Sequence, residues 1–256
     1  MNTALLSILR SPIDHRPLSW FVEDRSCLET QDVLLSQTGY SFPVQDGIPT
    51  FAEPREGQLL RDELLSALTN RVRDEFWDTA RGELLSELEI RPGERVLEVT
   101  VGSGVNLRQL PRDAHCVGLD LSARTLLQCQ KNLARWSVNA DLVQGRADRL
   151  PFRSDSFDIA FCLGGVQLSE NGPGAVLEML RVTRPGGRVL VIDATDWREV
   201  DLHQRMLNWL QALRGGQDDC ADPSDLVPPE GVADVETRTL HGGRHFLIRI
   251  RKQAAG

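Results

Sequence analysis

A chain of 256 residues, 41% of them hydrophobic, is long enough to bury a core of its own, as one large domain or as a domain with a small appendage. Its formal net charge of -8 argues against the broad basic surface that nucleic-acid binding needs. Five cysteines, odd in number and without a CxxC pair, argue against a disulfide framework or an intact zinc ribbon.

In chain order, residues 1–55 are turn-rich, with strand-like pieces at 18–22, 33–36 and 40–44 separated by Pro, Asp and Gly. The beginning of the chain lacks a positive region ahead of an apolar run, and no stretch approaches the roughly 18 apolar residues of a membrane span. The expected location is therefore the cytoplasm. Between Gln58 and Leu88 the apolar residues fall into one helical stripe, including Val72, Phe76, Trp77, Leu84, Leu85 and Leu88. Residues 56–92 thus read as a helical linker or lid, which Pro92-Gly93 ends.

The next stretch, RVLEVTVGSGVN (Arg95 to Asn106), organises the rest of the chain. Branched apolar residues predict a buried strand that runs into Gly102-Ser103-Gly104 and then a helix, and such a turn lets a backbone approach a nucleotide. A dinucleotide fingerprint would need a third glycine where Leu107 stands, which weakens an NAD reading. Glu98 inside the strand suits a ligand with an ammonium group instead. Cys116 to Asp120 predicts a second buried strand, and Asp120 lies about 20 residues on, where nucleotide-binding sheets place the acid that accepts the ribose hydroxyls. Ser122 caps the helix 123–135. Phe157 to Gly164 reads as a further strand, Asn171 and Pro173 start a helix, Pro185 stops it, and Gly186-Gly187 turn the chain into a strand from Val189 to Asp193. An amphipathic helix with Leu202, Met206 and Trp209, a loop over 214–231 and a hairpin around His241-Gly242-Gly243 complete the chain.

The stretch Glu98-Val99-Thr100-Val101-Gly102-Ser103-Gly104 resembles motif I of the class I S-adenosylmethionine-dependent methyltransferases, acidic-x-Gly-x-Gly-x-Gly, with Thr100 in place of the first glycine. The block GRADRLPFRSDSFDIAF and the turn RPGG (Arg184 to Gly187) resemble the same family, of the UbiE-like type, although Arg146 replaces an aspartate that commonly contacts adenine. The resemblance implies an α/β fold: a seven-stranded Rossmann-like sheet, mostly parallel with an antiparallel C-terminal hairpin, over residues 93–256. The pattern LRSPIDHRPL and then YSFPVQDGIPTF resembles zinc-ribbon modules of methyltransferase systems, with Ser11 and Asp14 where a cysteine pair would be, so residues 1–55 are expected to keep the shape without the metal.

The resemblance further implies S-adenosylmethionine as cofactor. Its methionine end falls to Glu98, Thr100, Val101, Gly102, Gly104 and Asn106, its ribose to Asp120 and Leu121, its adenine to Ala147 and Asp148, with Leu163 near the sulfonium. For the substrate it implies Phe76, Trp77, Gln167 and Trp197. Catalytic candidates, placed at the sheet's carboxyl edge, are Gln167, His203, His241 and Asp193. The expected activity is methyl transfer to a small molecule, of the kind met in secondary metabolism; the expectation allows a homodimer and disfavours membranes and nucleic acid. The rival readings are an rRNA or tRNA methyltransferase and a non-catalytic module that binds S-adenosylmethionine.

Overall fold

In a computed structural model the described residues are 1–22, 32–51, 81–166, 169, 171–194, 223–243 and 245–254. The first helix, α1 (Thr3–Ile8), is capped by Asn2, whose side-chain oxygen accepts the Leu5 N–H at 2.7 Å. Four short strands follow: β1 (Leu18–Phe21), β2 (Val33–Ser36), β3 (Ser41–Gln45) and β4 (Ile48–Pro49) form an antiparallel sheet in sequence order. After α2 (Arg81–Ser86) come β5 (Arg95–Val99), β6 (His115–Asp120), α3 (Ala123–Trp136), β7 (Ala140–Gln144), β8 (Phe157–Leu163), α4 (Gly172–Val182) and β9 (Thr183–Ala194). The hairpin β10 (Val232–Leu240) and β11 (His245–Lys252) ends the fold.

Seven strands make the large sheet, in the order β10-β11-β9-β8-β5-β6-β7. Strands β5 to β9 are parallel neighbours, and β11 and β10 are antiparallel, as the sequence predicts. The chain moves outward through β5, β6 and β7 and then returns to β8 on the other side of β5. The carboxyl ends of β5 and β8 are therefore the point where the winding reverses, which is where open α/β sheets bind ligands. Covering on both faces explains why β5 and β8 are apolar at nearly every interior position, Val96, Leu97 and Val99 in one and Ile159 to Leu163 in the other. Alternate residues point to opposite sides: Leu97 and Val99 pack with α4 and the N-terminal sheet, while Val96 packs with α2 and α3.

The small sheet is stitched onto the β7 end of the large one. Thr50 forms a parallel bridge with Gln144, and the Phe51 N–H donates to the Gln144 carbonyl at 2.9 Å. Leu9 bridges Phe152, with the Arg10 N–H donating to Pro151 and the Arg153 N–H to Ile8. These pairings occupy backbone groups that an edge strand would otherwise expose. Inside the small sheet, Ser11 accepts the N–H groups of Ile13 and Asp14, and Ser36 accepts that of Tyr40 at 3.0 Å. The Thr38 hydroxyl lies 2.9 Å from that of Ser36 and donates to the Asp14 carboxylate, which joins the two turns. Hydrogen bonds from Ser11 and then Thr38 hold the Asp14 carboxyl below its usual range.

Two expectations fail locally. The glycine turn leads into a short 3-10 turn, Leu107–Gln109, and not into a helix. Gly104 has φ +78° and Pro111 follows seven residues later, and a proline disfavours helical backbone in the residue ahead of it, so less than two turns are left. Nor does Pro185 stop α4: the helix ends at Val182, and Thr183 already pairs with Phe157 in β9. The buried Thr183 hydroxyl donates back to the Met179 carbonyl at 2.7 Å and closes the helix end. Arg184 to Gly187 then form a bulge, because the register jumps from Phe157–Thr183 to Ile159–Arg188. Gly187 is required there, since a Cβ would lie 2.5 Å from the Thr183 methyl and 2.7 Å from the Asp158 carbonyl. Ser122 caps α3 as expected, accepting the Thr125 N–H at 3.2 Å. Among the described residues no helix is long and apolar enough to cross a membrane.

Candidate functional site

The candidate site lies where β5, β6, β8 and β9 end. Leaving β5, Thr100, Gly102 and Gly104 all have positive φ, at +61°, +58° and +78°. The glycines take this conformation without a Cβ clash, and Gly104 has a second reason: a Cβ would sit 2.7 Å from Cys129 Sγ on α3. Asp120, buried at the end of β6, braces the turn. Its Oδ2 accepts the Gly102 N–H and its Oδ1 the Ser122 N–H, each at 3.0 Å. The buried Val101 is pinned to β6, its N–H donating to the Leu119 carbonyl at 2.9 Å.

Thr100 is a departure with structural consequences. Left-handed backbone is uncommon for any non-glycine residue and an outlier for a β-branched one. Its Oγ1 lies 2.8 Å from the Gly164 carbonyl, 2.5 Å from that of Val99 and 3.0 Å from Cys162 Sγ. The side chain thus spans from the end of β5 to the end of β8. Gly165, with φ +108°, leaves room for it: a Cβ there would be 3.3 Å from both Cγ2 and Oγ1 of Thr100. Beyond it, the Gly165 N–H donates to Oδ2 of Asp193 at 3.1 Å, so the Asp193 carboxylate, fully buried at the end of β9, holds the backbone of the β8 exit.

Glu98 is 0% exposed. Its Oε1 accepts from Nδ2 of Asn106 at 2.6 Å, and Oδ1 of Asn106 accepts from Nη1 of Arg81 at 2.8 Å. Asn106 and Arg81 are 3% and 2% exposed, so the whole chain of contacts is interior. Sequence reading placed Asn106 beside a ligand and overlooked Arg81. The signal was there: Arg81 stands three, four and seven residues before Leu84, Leu85 and Leu88, on the apolar stripe itself, where a charge is out of place. Cys116 on β6, opposite Val96, has its thiol pushed up to about 12, first by burial and then by the charge of Glu98.

On the β7 side, Leu121 is exposed and Ala147 is half-buried. Arg146 grips Asp148 with two hydrogen bonds of 2.9 Å, so the two residues act as one unit at the rim. Leu163 is buried at the end of β8. The structure therefore brings together Glu98, Thr100, the glycine turn, Asn106, Asp120, Leu163 and Asp193 at one edge. His241 opens the turn of the C-terminal hairpin. Phe76, Trp77, Gln167, Trp197 and His203 lie outside the described residues.

A buried carboxylate on the central strand, a second at the end of its neighbour and a glycine turn between them suit a ligand that joins an ammonium to a ribose. That arrangement at the switch point of a doubly wound sheet is of the nucleotide-binding α/β class. Residues 97–191 match the family model of the methyltransferase domain. The demethylmenaquinone methyltransferase of Mycolicibacterium paratuberculosis is 33% identical over 211 residues, 73% of this chain and 87% of the relative. That of Mycobacterium tuberculosis (strain ATCC 25618 / H37Rv) is 34% identical over 139 residues, 54% of this chain, and there the chain spans only 56% of the relative's length. Among solved structures, a Methanococcus maripaludis protein classed as an S-adenosyl-L-methionine-dependent methyltransferase superposes with a TM-score of 0.56 at 16% identity, over 80% of this chain and 98% of that one. The chain belongs to the class I S-adenosylmethionine-dependent methyltransferases, in the family that includes the demethylmenaquinone methyltransferases.

Proposed function

We propose that this protein transfers the methyl group of S-adenosylmethionine to a small-molecule acceptor, a quinol-like ring among the first to test. The observation that carries the reading is the placement of Glu98 and Asp120 on the adjacent parallel strands β5 and β6, with the Gly102–Gly104 turn braced between them. When bound, the cofactor supplies an electrophilic methyl on a sulfonium. Glu98 meets the ammonium of its methionine end, Asp120 the ribose diol, and Ala147 with the Arg146–Asp148 pair the adenine.

Displacement at a sulfonium is limited by alignment, and much of the rate comes from holding the acceptor in line. The β8 exit, fixed by Thr100 and Asp193, forms the floor of that alignment. An acceptor hydroxyl or ring carbon also has to lose a proton, for which Gln167 can only orient and Asp193, His203 or His241 can accept. The names of the relatives favour a menaquinone-like acceptor, and the net charge of -8 disfavours RNA. In division of labour, residues 93–256 form the methyltransferase domain, 56–92 a helical linker or lid whose end packs in the core as α2, and 1–55 a ribbon-like module in which the Ser11–Asp14–Thr38–Ser36 hydrogen bonds stand in for a metal. Calorimetric titration with S-adenosylhomocysteine tests the site: Asp120→Ala should lose most of the heat, and equal binding by both proteins would refute it. Methylation of RNA that falls steeply with salt, with no metabolite accepted, would overturn the acceptor class.

A further inference from the structure

We infer that Arg81 is a positioning residue for the cofactor's amino-acid end, acting through Asn106 on the carboxylate of Glu98. The inference rests on the proposed contact between Glu98 and the ligand's ammonium. Arg81, Asn106 and Glu98 form a line of buried polar side chains with contacts of 2.8 and 2.6 Å, and they come from α2, the segment after the glycine turn and β5.

The chemistry of the groups fixes the direction of the line. A guanidinium only donates, so the amide of Asn106 must turn its oxygen to Arg81, and its NH2 then faces Glu98. A carboxylate only accepts, so the two demands agree and the amide has one orientation. Arg81 thereby sets the orientation of the amide that donates to the Glu98 carboxylate. It also places a guanidinium two groups away from a buried carboxylate.

Arg81 occupies a core position of an apolar stripe with Leu84, Leu85 and Leu88, where burying a guanidinium is costly and only its polar partners offset the cost. The line also connects α2 to the ligand edge of the sheet, so the helix ahead of the central strand is part of the site.

The test compares two ligands on the full chain by calorimetry. S-Adenosylhomocysteine carries the amino-acid end, whereas 5′-methylthioadenosine keeps the adenosine and sulfur and lacks it. Arg81→Met should bind the first about tenfold more weakly or worse, the size of a lost hydrogen bond to a charged group, and the second as tightly as the wild type does. Arg81→Lys should recover part of the loss, since its ammonium still donates to Asn106 but cannot keep the fork geometry. A purely structural role would weaken both ligands together, and that result, or no change for either, overturns the inference. If Arg81→Met does not fold, Arg81→Lys carries the same comparison: a loss confined to S-adenosylhomocysteine supports the assignment, and an equal loss for both ligands rejects it. Wild-type protein that binds neither ligand overturns the methyltransferase site itself, an outcome visible before any variant is made.

Discussion

Replacing Thr100 separates what its backbone costs from what its side chain contributes. A non-glycine residue held at φ +61° carries strain of about 1–3 kcal/mol, at the upper end for a β-branched side chain. Against this stand a hydrogen bond to Gly164, about 1 kcal/mol net, and a methyl packed on Gly165, about 0.8 kcal/mol. Thr100→Gly removes both strain and contacts and adds about 0.5–1 kcal/mol of unfolded-chain entropy, so it should end within about 1 kcal/mol of wild type. Thr100→Ala keeps part of the strain, loses the bond and should cost about 1–2 kcal/mol. Thr100→Val keeps all of the strain and removes the hydroxyl donor to the Gly164 carbonyl, leaving the weaker Cys162 thiol contact, so about 2–3 kcal/mol is expected. The order Gly, Ala, Val is read from urea unfolding followed by circular dichroism. The side chain also crosses the edge where the methionine end of the cofactor belongs. Thr100→Gly should therefore tighten S-adenosylhomocysteine binding by about tenfold, a gain of about 1.4 kcal/mol. Glycine as the least stable variant, or unchanged affinity in all three, would refute the reasoning.

Further perturbations draw on the same geometry. Gly104→Ala combines φ +78° with a Cβ 2.7 Å from Cys129 Sγ and should cost about 2–4 kcal/mol; adding Cys129→Ala should relieve the clash and leave the backbone strain, as thermal unfolding will show. The Cys116 thiol, pushed up to about 12, should resist iodoacetamide at pH 8 in the folded protein and react only after denaturation, measured by mass spectrometry of the alkylated peptide. Because hydrogen bonds lower the Asp14 carboxyl, its contribution is present above the unfolded value and lost as pH falls through the folded one. The link between the two turns of the small sheet should thus loosen only in acid, below about pH 4, and Thr38→Val should shift that loosening to higher pH in a titration of Trp20 fluorescence.

What was legible in the sequence was whatever a local rule dictates. Strand β5 was readable because a strand covered on both faces is predominantly apolar, with Val96, Leu97 and Val99 around Glu98, and the C-terminal hairpin because two β-rich runs flank His241-Gly242-Gly243. The helix expected after Gly104 failed because the closing proline lies close behind, and the RPGG turn became a bulge because Thr183 could cap α4 and begin β9 at once. The site shows a different kind of limit. Glu98 and Asp120 announce themselves by spacing, but their surroundings do not. Nothing local says that Arg81, 17 positions before Glu98, reaches it through Asn106, or that the Thr100 hydroxyl finds a carbonyl 64 residues away. Both residues break a local rule, a charge on an apolar stripe and a β-branched residue in left-handed backbone. Each violation is offset by a contact at the same edge of the sheet. Because these two exceptions converge where β5 ends, the breaks in local rule single out the same edge of the sheet that the Gly102–Gly104 turn and Asp120 occupy.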